Sequence, residues 1–306
     1  MVSKASRSVL AQRFCAVTNA QPDVAHAYLK AHNSRLELAI DAYFAAQRQD
    51  PVSRLSAQQE KEARSQLTRQ FDRLQDDLDP NLISSNGSLT LLEELGIDSA
   101  SVDVLPLSFY LASPTLGQFH RSDYVNGWLR MGVGASPIAD QADLLTQQRQ
   151  CMAQVMEAFH ADAPVLPPFP PNDQAPSKKG LYTAVYEYTF TFVRSEGQKN
   201  LPVDLALTFW ELLLPHAPIY DADGSKAAAG QPSFTPAQWE LWKRFLTTAS
   251  HLRVISKDTW TQFLSFLREI DPHFETHDFE AAWPSVMDEF VTWVQEQRKL
   301  GALSSD

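Results

Sequence analysis

Cysteine is scarce in this sequence. Cys15 and Cys151 are the two in 306 residues, and they have neither the paired spacing of a disulfide framework nor the CxxC of a zinc site. A reducing intracellular compartment follows as the expectation, nucleus and cytoplasm. Long apolar runs are missing as well. No stretch approaches the ~18 apolar residues of a membrane span. Met1 to Ser8 carries basic residues without the apolar run of a signal peptide after them. Positive charge is in deficit, with 26 Lys and Arg against 37 Asp and Glu, a net charge of −11 and a pI near 5.2. Nucleic acid and anionic lipid both require a cationic face, so neither is an expected partner. A basic protein is.

Chemistry-bearing motifs are also missing. There is no HExxH, GxxxxGK[ST], GxGxxG or GxSxG. Gly132-Val133-Gly134 has no strand before it. Two segments resemble calcium loops in part: Asn86-Gly87 followed by Glu93 and Glu94, and Asp98 to Asp103. A working loop needs Gly at position six and Glu at twelve. Counted from Asp98 those places hold Asp103 and Phe109, and Asp221-Ala-Asp223-Gly224 lacks the further ligands. Cys15 falls within a helical apolar pattern. Cys151 has His160 nine residues on, with nothing to orient the pair. The expectation is a protein without catalytic residues, metal or cofactor, with a thiol enzyme kept as a rival.

What is present is a large apolar inventory, 44% of residues, including 17 Phe, 7 Trp and 8 Tyr. Its spacing is helical almost throughout, which predicts an all-α fold. Residues 1–48 read as a separate three-helix unit. Leu10, Phe14 and Val17 share one face. Pro22 opens a second helix carrying Val24, Tyr28 and Leu29. Ser34 and Glu37 form a capping-box pattern ahead of Leu36, Ile40 and Tyr43. Residues 49–62 are polar, contain Pro51 and read as a linker. A larger helical region spans 63–301, with 302–306 as a tail. It carries Leu105, Phe109 and Ala112; then Leu205, Phe209, Leu212 and Leu213; then Trp260, Phe263, Leu264 and Leu267. No run of alternating strands is evident. Thr189 to Val193 is β-prone, yet belongs to the helical run from Tyr186. Residues 161–179, rich in proline, and 221–236, small and polar, read as loop insertions.

Charge and aromaticity converge near the C-terminus. Glu269 to Glu296 holds eight acidic residues and no Lys or Arg, interleaved with Phe274, Phe279, Trp283, Phe290 and Trp293. Trp283-Pro284 is expected to begin a helix with proline in its first turn. Val286, Phe290 and Trp293 would form its buried stripe, and Asp288 and Glu289 would face water. Lys257-Asp258-Thr259-Trp260 reads as another helix start, with Asp258 near the cap. The stretch is either a solvated face or a surface that steers a basic partner.

The strings ISKDTWTQFLSF (Ile255 to Phe266), EAAWPSVMDEFVTW (Glu280 to Trp293) and TFTFVRSEGQKNLPVDLALTFWELLL (Thr189 to Leu214) resemble the defective-in-cullin-neddylation family. The order matches too: an N-terminal UBA-like (ubiquitin-associated-like) domain, then a PONY (potentiating neddylation) domain with EF-hand-like helix pairs. The resemblance implies a non-catalytic co-ligase. In the family an Asp–Ala–Asp patch binds the C-terminal winged-helix subdomain of a cullin. The matching positions are Asp258, Ala282 and Asp288, 24 and then six residues apart. The family also buries the acetylated N-terminal methionine of the neddylation-conjugating enzyme. By resemblance that pocket corresponds to Val104, Leu107, Leu116, Phe119, Phe192, Phe209 and Leu212. The RING subunit of the ligase is implied as an indirect partner. The alternative is a ubiquitin-binding adaptor that acts through residues 8–48.

Overall fold

A computed structural model describes residues 4–18, 25, 29, 35–40, 55–164, 180–228 and 233–301. Helix α1 (Lys4–Thr18) buries Ala11, Phe14 and Thr18. The expected face is rotated by one position, because Val17 is 58% exposed. Thr18 can turn inward because its hydroxyl donates to the Phe14 carbonyl at 2.7 Å, which satisfies the polar group. Ala25, Leu29 and Ala39 complete this small core, with Leu36 and Ile40 packed against it. Val24, Tyr28, Ser34, Tyr43 and the tail 302–306 lie outside the described residues, as do 165–179 of the proline-rich insertion.

Helix α2 (Ala57–Leu74) corrects the linker boundary, since it begins well before Glu62. Ser56 and Gln59 form a capping box. The Ser56 hydroxyl accepts the Gln59 N–H at 3.2 Å, and Gln59 Oε1 accepts the Ser56 N–H at 2.9 Å. The buried face of α2 starts only at Ala63 and continues through Leu67, Phe71 and Leu74. Its first turns are therefore helical but solvated, and carry no apolar periodicity.

The rest is built from two pairs of helix–loop–helix units. In the first pair, α2 leads through β1 (Leu82–Ile83) to α3 (Ser85–Leu95), and α4 (Val104–Tyr110) leads through β2 (Phe119–His120) to α5 (Arg121–Met131). β1 and β2 pair antiparallel, Ile83 opposite Phe119. Helix α6 (Gln141–His160) packs on all four of these helices and on α7 (Leu181–Phe192). The second pair repeats the plan. α7 leads through β3 (Leu201–Pro202) to α8 (Val203–Leu213). After the single turn α9 (Ser225–Ala228), α10 (Pro236–Arg244) leads through β4 (Val254–Ile255) to α11 (Lys257–Glu269). β3 and β4 pair antiparallel, Leu201 opposite Ile255. Helix α12 (Ser285–Lys299) is the last helix of the described residues.

The expected EF-hand-like architecture is therefore present, and Thr189–Phe192 is helical. Two short ribbons accompany the helices, and the all-α expectation stands. Each ribbon is two residues per strand, too short to leave a period-two pattern. Within 221–236, α9 occupies Ser225–Ala228 and Phe234 bridges Tyr220, while 229–232 lie outside the described residues. Gly87 serves a close helix approach: a Cβ there would lie 2.0 Å from the Leu74 carbonyl oxygen. Among the described residues no group of three or more His, Cys, Asp or Glu is placed to hold a metal ion, and no helix is long and apolar enough to cross a membrane.

A closed set of aromatic contacts forms the centre of the second pair. Trp210 of α8 stacks on Trp260 of α11 with centroids 5.0 Å apart and 9° between planes, and Tyr186 of α7 stacks on Trp260 at 4.9 Å. All three are fully buried. Trp210 Nε1 donates to Tyr186 Oη at 2.8 Å, and Tyr186 Oη donates to the Trp260 carbonyl at 2.8 Å. Trp260 Nε1 returns a bond to the Tyr186 carbonyl at 2.9 Å. Burial raises the Tyr186 phenol well above its ordinary pKa, so it stays a donor. Phe263 and Trp242 extend the stack towards Phe290 of α12. Tyr186→Phe leaves the Trp210 N–H and the Trp260 carbonyl without this partner in a dry site. It should destabilise the fold by about 1–3 kcal/mol, read as a lower urea midpoint at unchanged slope.

Candidate functional site

The site is assembled at the start of two helices and on the loop between them. Ile255 is buried in β4, and Ser256 caps α11 by accepting the Thr259 N–H at 3.0 Å. The cap is thus Ser256, and Asp258 sits exposed in the first turn, where the helix dipole favours a carboxylate. Trp260, two residues on, faces the core, so Asp258 stands on a stretch that cannot shift freely.

The loop after α11 is tied by Asp271. Its carboxylate accepts from the backbone of His273, Glu275 and Thr276 and from the Thr276 hydroxyl. Burial opposes ionisation, but these bonds win and hold Asp271 below the usual carboxylate range. Further along, Phe279 and Ala282 are exposed, whereas Trp283 is half-buried and packs edge-on against Phe266 of α11 at 5.9 Å. Pro284 occupies the N-cap of α12 rather than its first turn. The buried face of α12 is Val286, Met287, Phe290, Val291 and Val294. Trp293, expected in that stripe, is half-buried instead and lies against Phe245 and the Arg244 guanidinium. Glu289 faces water as expected. Asp288 does so only in part: its side chain is 32% exposed, and Oδ1 lies 2.7 Å from Nε2 of His277. Sequence reasoning missed His277. One imidazole among alternating acidic residues carries no signal that separates it from a surface residue.

The seven apolar candidates divide by burial. Leu107, Phe119 and Phe192 are core residues, at most 3% exposed. Val104, Phe209 and Leu212 are half-buried, and Leu116 is 47% exposed. Helices α4 and α7 pack together, with Phe109 edge-on to Tyr188 and Tyr188 stacked on Phe192 at 5.0 Å. That contact brings the helix of Val104 and Leu107 to the helix that ends in Phe192. Phe119 turns into the first pair's core, 6.4 Å from Tyr124. The loop bearing Leu116 is anchored by Ser88, whose buried hydroxyl donates to the Gly117 carbonyl at 2.8 Å. A separate cavity of about 260 Å³ lies between the start of α2 and residues 134–139, and shares no residue with either candidate set.

Residues 10–50 match the family described as UBA-like domain, and residues 171–293 match the family described as cullin binding. Defective in cullin neddylation protein 1 of Mycosarcoma maydis is 37% identical over 321 residues, covering 97% of each chain. The chain belongs to the defective-in-cullin-neddylation family. The protein of the same name from Candida albicans is 29% identical over 299 residues, 95% of this chain and 98% of its own. That from Cryptococcus neoformans is 28% identical over 300 residues, 95% of each.

The cullin-binding match encloses Asp258, Ala282 and Asp288, and also Phe192, Phe209 and Leu212. Val104, Leu107, Leu116 and Phe119 precede it. Cys151 lies in α6, buried, and burial pushes its thiol up to about 12. The folded protein therefore holds this sulfur as a thiol, not a thiolate, throughout the physiological range. Cys151 is expected to resist a thiolate-selective disulfide reagent at pH 8 in the native protein and to react once the chain is unfolded in denaturant. Rapid native labelling would contradict that burial.

Proposed function

We propose that this chain promotes cullin neddylation as a scaffold that holds a cullin and the acetylated neddylation-conjugating enzyme together, without a covalent step of its own. Membership of the defective-in-cullin-neddylation family, with the cullin-binding match lying over Asp258, Ala282 and Asp288, is the observation that carries this reading. The arrangement suits the role. Asp258 and Ala282 are exposed, and the third member, Asp288, is partly so. Two carboxylates receive basic groups of the winged-helix subdomain, and the alanine leaves the partner backbone room to approach. Isolated exposed ion pairs contribute only ~0–1 kcal/mol each, so the patch acts through several contacts and through steering.

Joining the two partners raises their effective concentration and restricts the approach of the thioester to the acceptor lysine. That thioester stays on the conjugating enzyme. The buried Cys151 thiol fits a chain that does not carry it. On this reading Asp258→Lys with Asp288→Lys abolishes capture of the cullin subdomain while helicity and melting are retained. It also removes the stimulation of cullin neddylation in a reconstituted assay with acetylated conjugating enzyme. Undiminished capture by the double variant would sink the patch assignment.

For the second partner, the half-buried Val104, Phe209 and Leu212 and the exposed Leu116 retain apolar surface, while Leu107, Phe119 and Phe192 are core residues. Burying a methionine side chain contributes ~1.5–3 kcal/mol. Acetylation removes the ammonium that would otherwise have to be desolvated. An acetylated N-terminal peptide of the conjugating enzyme is expected to bind at least tenfold more tightly than the free-amine peptide by calorimetry. Equal affinities would remove the pocket from the mechanism.

A further inference from the structure

The proposed function leaves His277 without a role. This residue lies on the loop between α11 and α12, with its side chain 2% exposed. Its ring is walled by Phe279, edge-on at 4.7 Å, by Phe266, edge-on at 5.7 Å, and by Trp283 at 6.3 Å. Nε2 meets Asp288 Oδ1 at 2.7 Å. An ionised carboxylate can only accept, so the proton of this contact sits on Nε2. We propose that His277 is a positioning residue for the cullin-binding carboxylate. It pins one oxygen of Asp288 from the loop side and presents the rest of the carboxylate to a cationic group of the partner.

The geometry carries the argument. A carboxylate on an exposed helix turn samples several rotamers, and a partner must freeze it on binding. Here the freezing is done beforehand by a donor that cannot follow the carboxylate about, because three aromatic rings hold the imidazole plane. One bond to Oδ1 leaves Oδ2 and further lone pairs for a second donor. The partial exposure of the side chain leaves them accessible. Asp258, by contrast, stands exposed in the first turn of its helix. The two carboxylates of the patch are therefore unequal, and Asp288 is the prearranged one.

This inference rests on the reading of Asp288 as a cullin contact, and the test separates the two. Binding of the isolated cullin C-terminal subdomain to the full chain is measured by calorimetry in a double-mutant cycle. His277→Phe keeps an aromatic ring in the cage and removes the donor. It is expected to weaken binding by about three- to tenfold, the cost of immobilising on binding a side chain that the free protein no longer holds. His277→Gln, whose amide N–H can reach the same oxygen, is expected to recover most of the loss. In an Asp288→Ala background, which removes the acceptor, His277→Phe should cost nothing further. Parental affinity of His277→Phe alongside weakened Asp288→Ala overturns the positioning role. So does an equal loss in both backgrounds, which would mark general support of the loop. Asp288→Ala binding like the parent takes down the underlying patch assignment instead. His277→Met provides a second donor-free variant, read in the same cycle, if the phenylalanine chain does not fold.

Discussion

Everything at the proposed cullin-facing surface depends on the hydrogen-bonded stack of Tyr186, Trp210 and Trp260. These three side chains come from the consecutive helices α7 and α8 and from the later α11, and each polar atom involved is satisfied by another member. A buried indole N–H or phenol without a partner is costly, so the network admits one arrangement of the three helices. Trp260 sits two residues after Asp258. Its ring is held by stacking, its N–H by Tyr186, and its carbonyl by the Tyr186 hydroxyl. The backbone that carries Asp258 is thereby positioned from the core outward. The stack continues through Phe263 and Trp242 to Phe290, two residues after Asp288. One aromatic column thus reaches the helices that carry both carboxylates, and the surface inherits the rigidity of the interior.

Much of this was legible in the sequence because apolar spacing reports which side chains face inward. Trp260, Phe263, Leu264 and Leu267 recur at helical intervals and are all buried in α11. What spacing does not report is the polar logic between elements. The Tyr186 hydroxyl joins residues separated by 24 and 74 positions. The same holds for Gln70, Gln148 and Tyr124, a buried hydrogen-bonded group that joins the first pair of units to α6. Such residues look neutral or misplaced in a periodicity reading and acquire sense only when their partners are known. The start of α2 was obscured for the opposite reason. Its first turns are held by the Ser56–Gln59 box and solvated, so helix without burial read as linker.

The candidate site shows the same division. Asp258, Ala282 and Asp288 were found through the resemblance, since no elementary pattern distinguishes them from the other acidic residues between Glu269 and Glu296. Most aromatics of that segment support the core: Phe274 and Phe290 are buried, and Trp283 and Trp293 partly so. Phe279 departs from them. It is 47% exposed and packs edge-on to His277. It forms a wall of the cage around the imidazole rather than part of the main core. The contact between His277 and Asp288 was illegible because it spans eleven positions across an irregular loop, where neither helical nor strand periodicity applies.

The two proposed partner surfaces differ in how they can respond to binding. The carboxylates stand at helix starts over a stacked aromatic core, so that surface is suited to recognising a partner of fixed shape. The apolar candidates combine fully buried residues with half-exposed ones across α4, β2, α7 and α8. On the proposed reading, Leu107, Phe119 and Phe192 cannot move without opening the core, and adjustment is left to Val104, Leu116, Phe209 and Leu212. A flexible methionine side chain suits such a site, because it can fill an irregular gap beside fixed core residues. Discrimination would then rest on the charge of the terminus rather than on the shape of the side chain. The apolar surface contributes similarly to either form of the peptide, whereas only the free amine must be stripped of water. That places the selectivity on the ligand's chemistry and the affinity on the protein's packing.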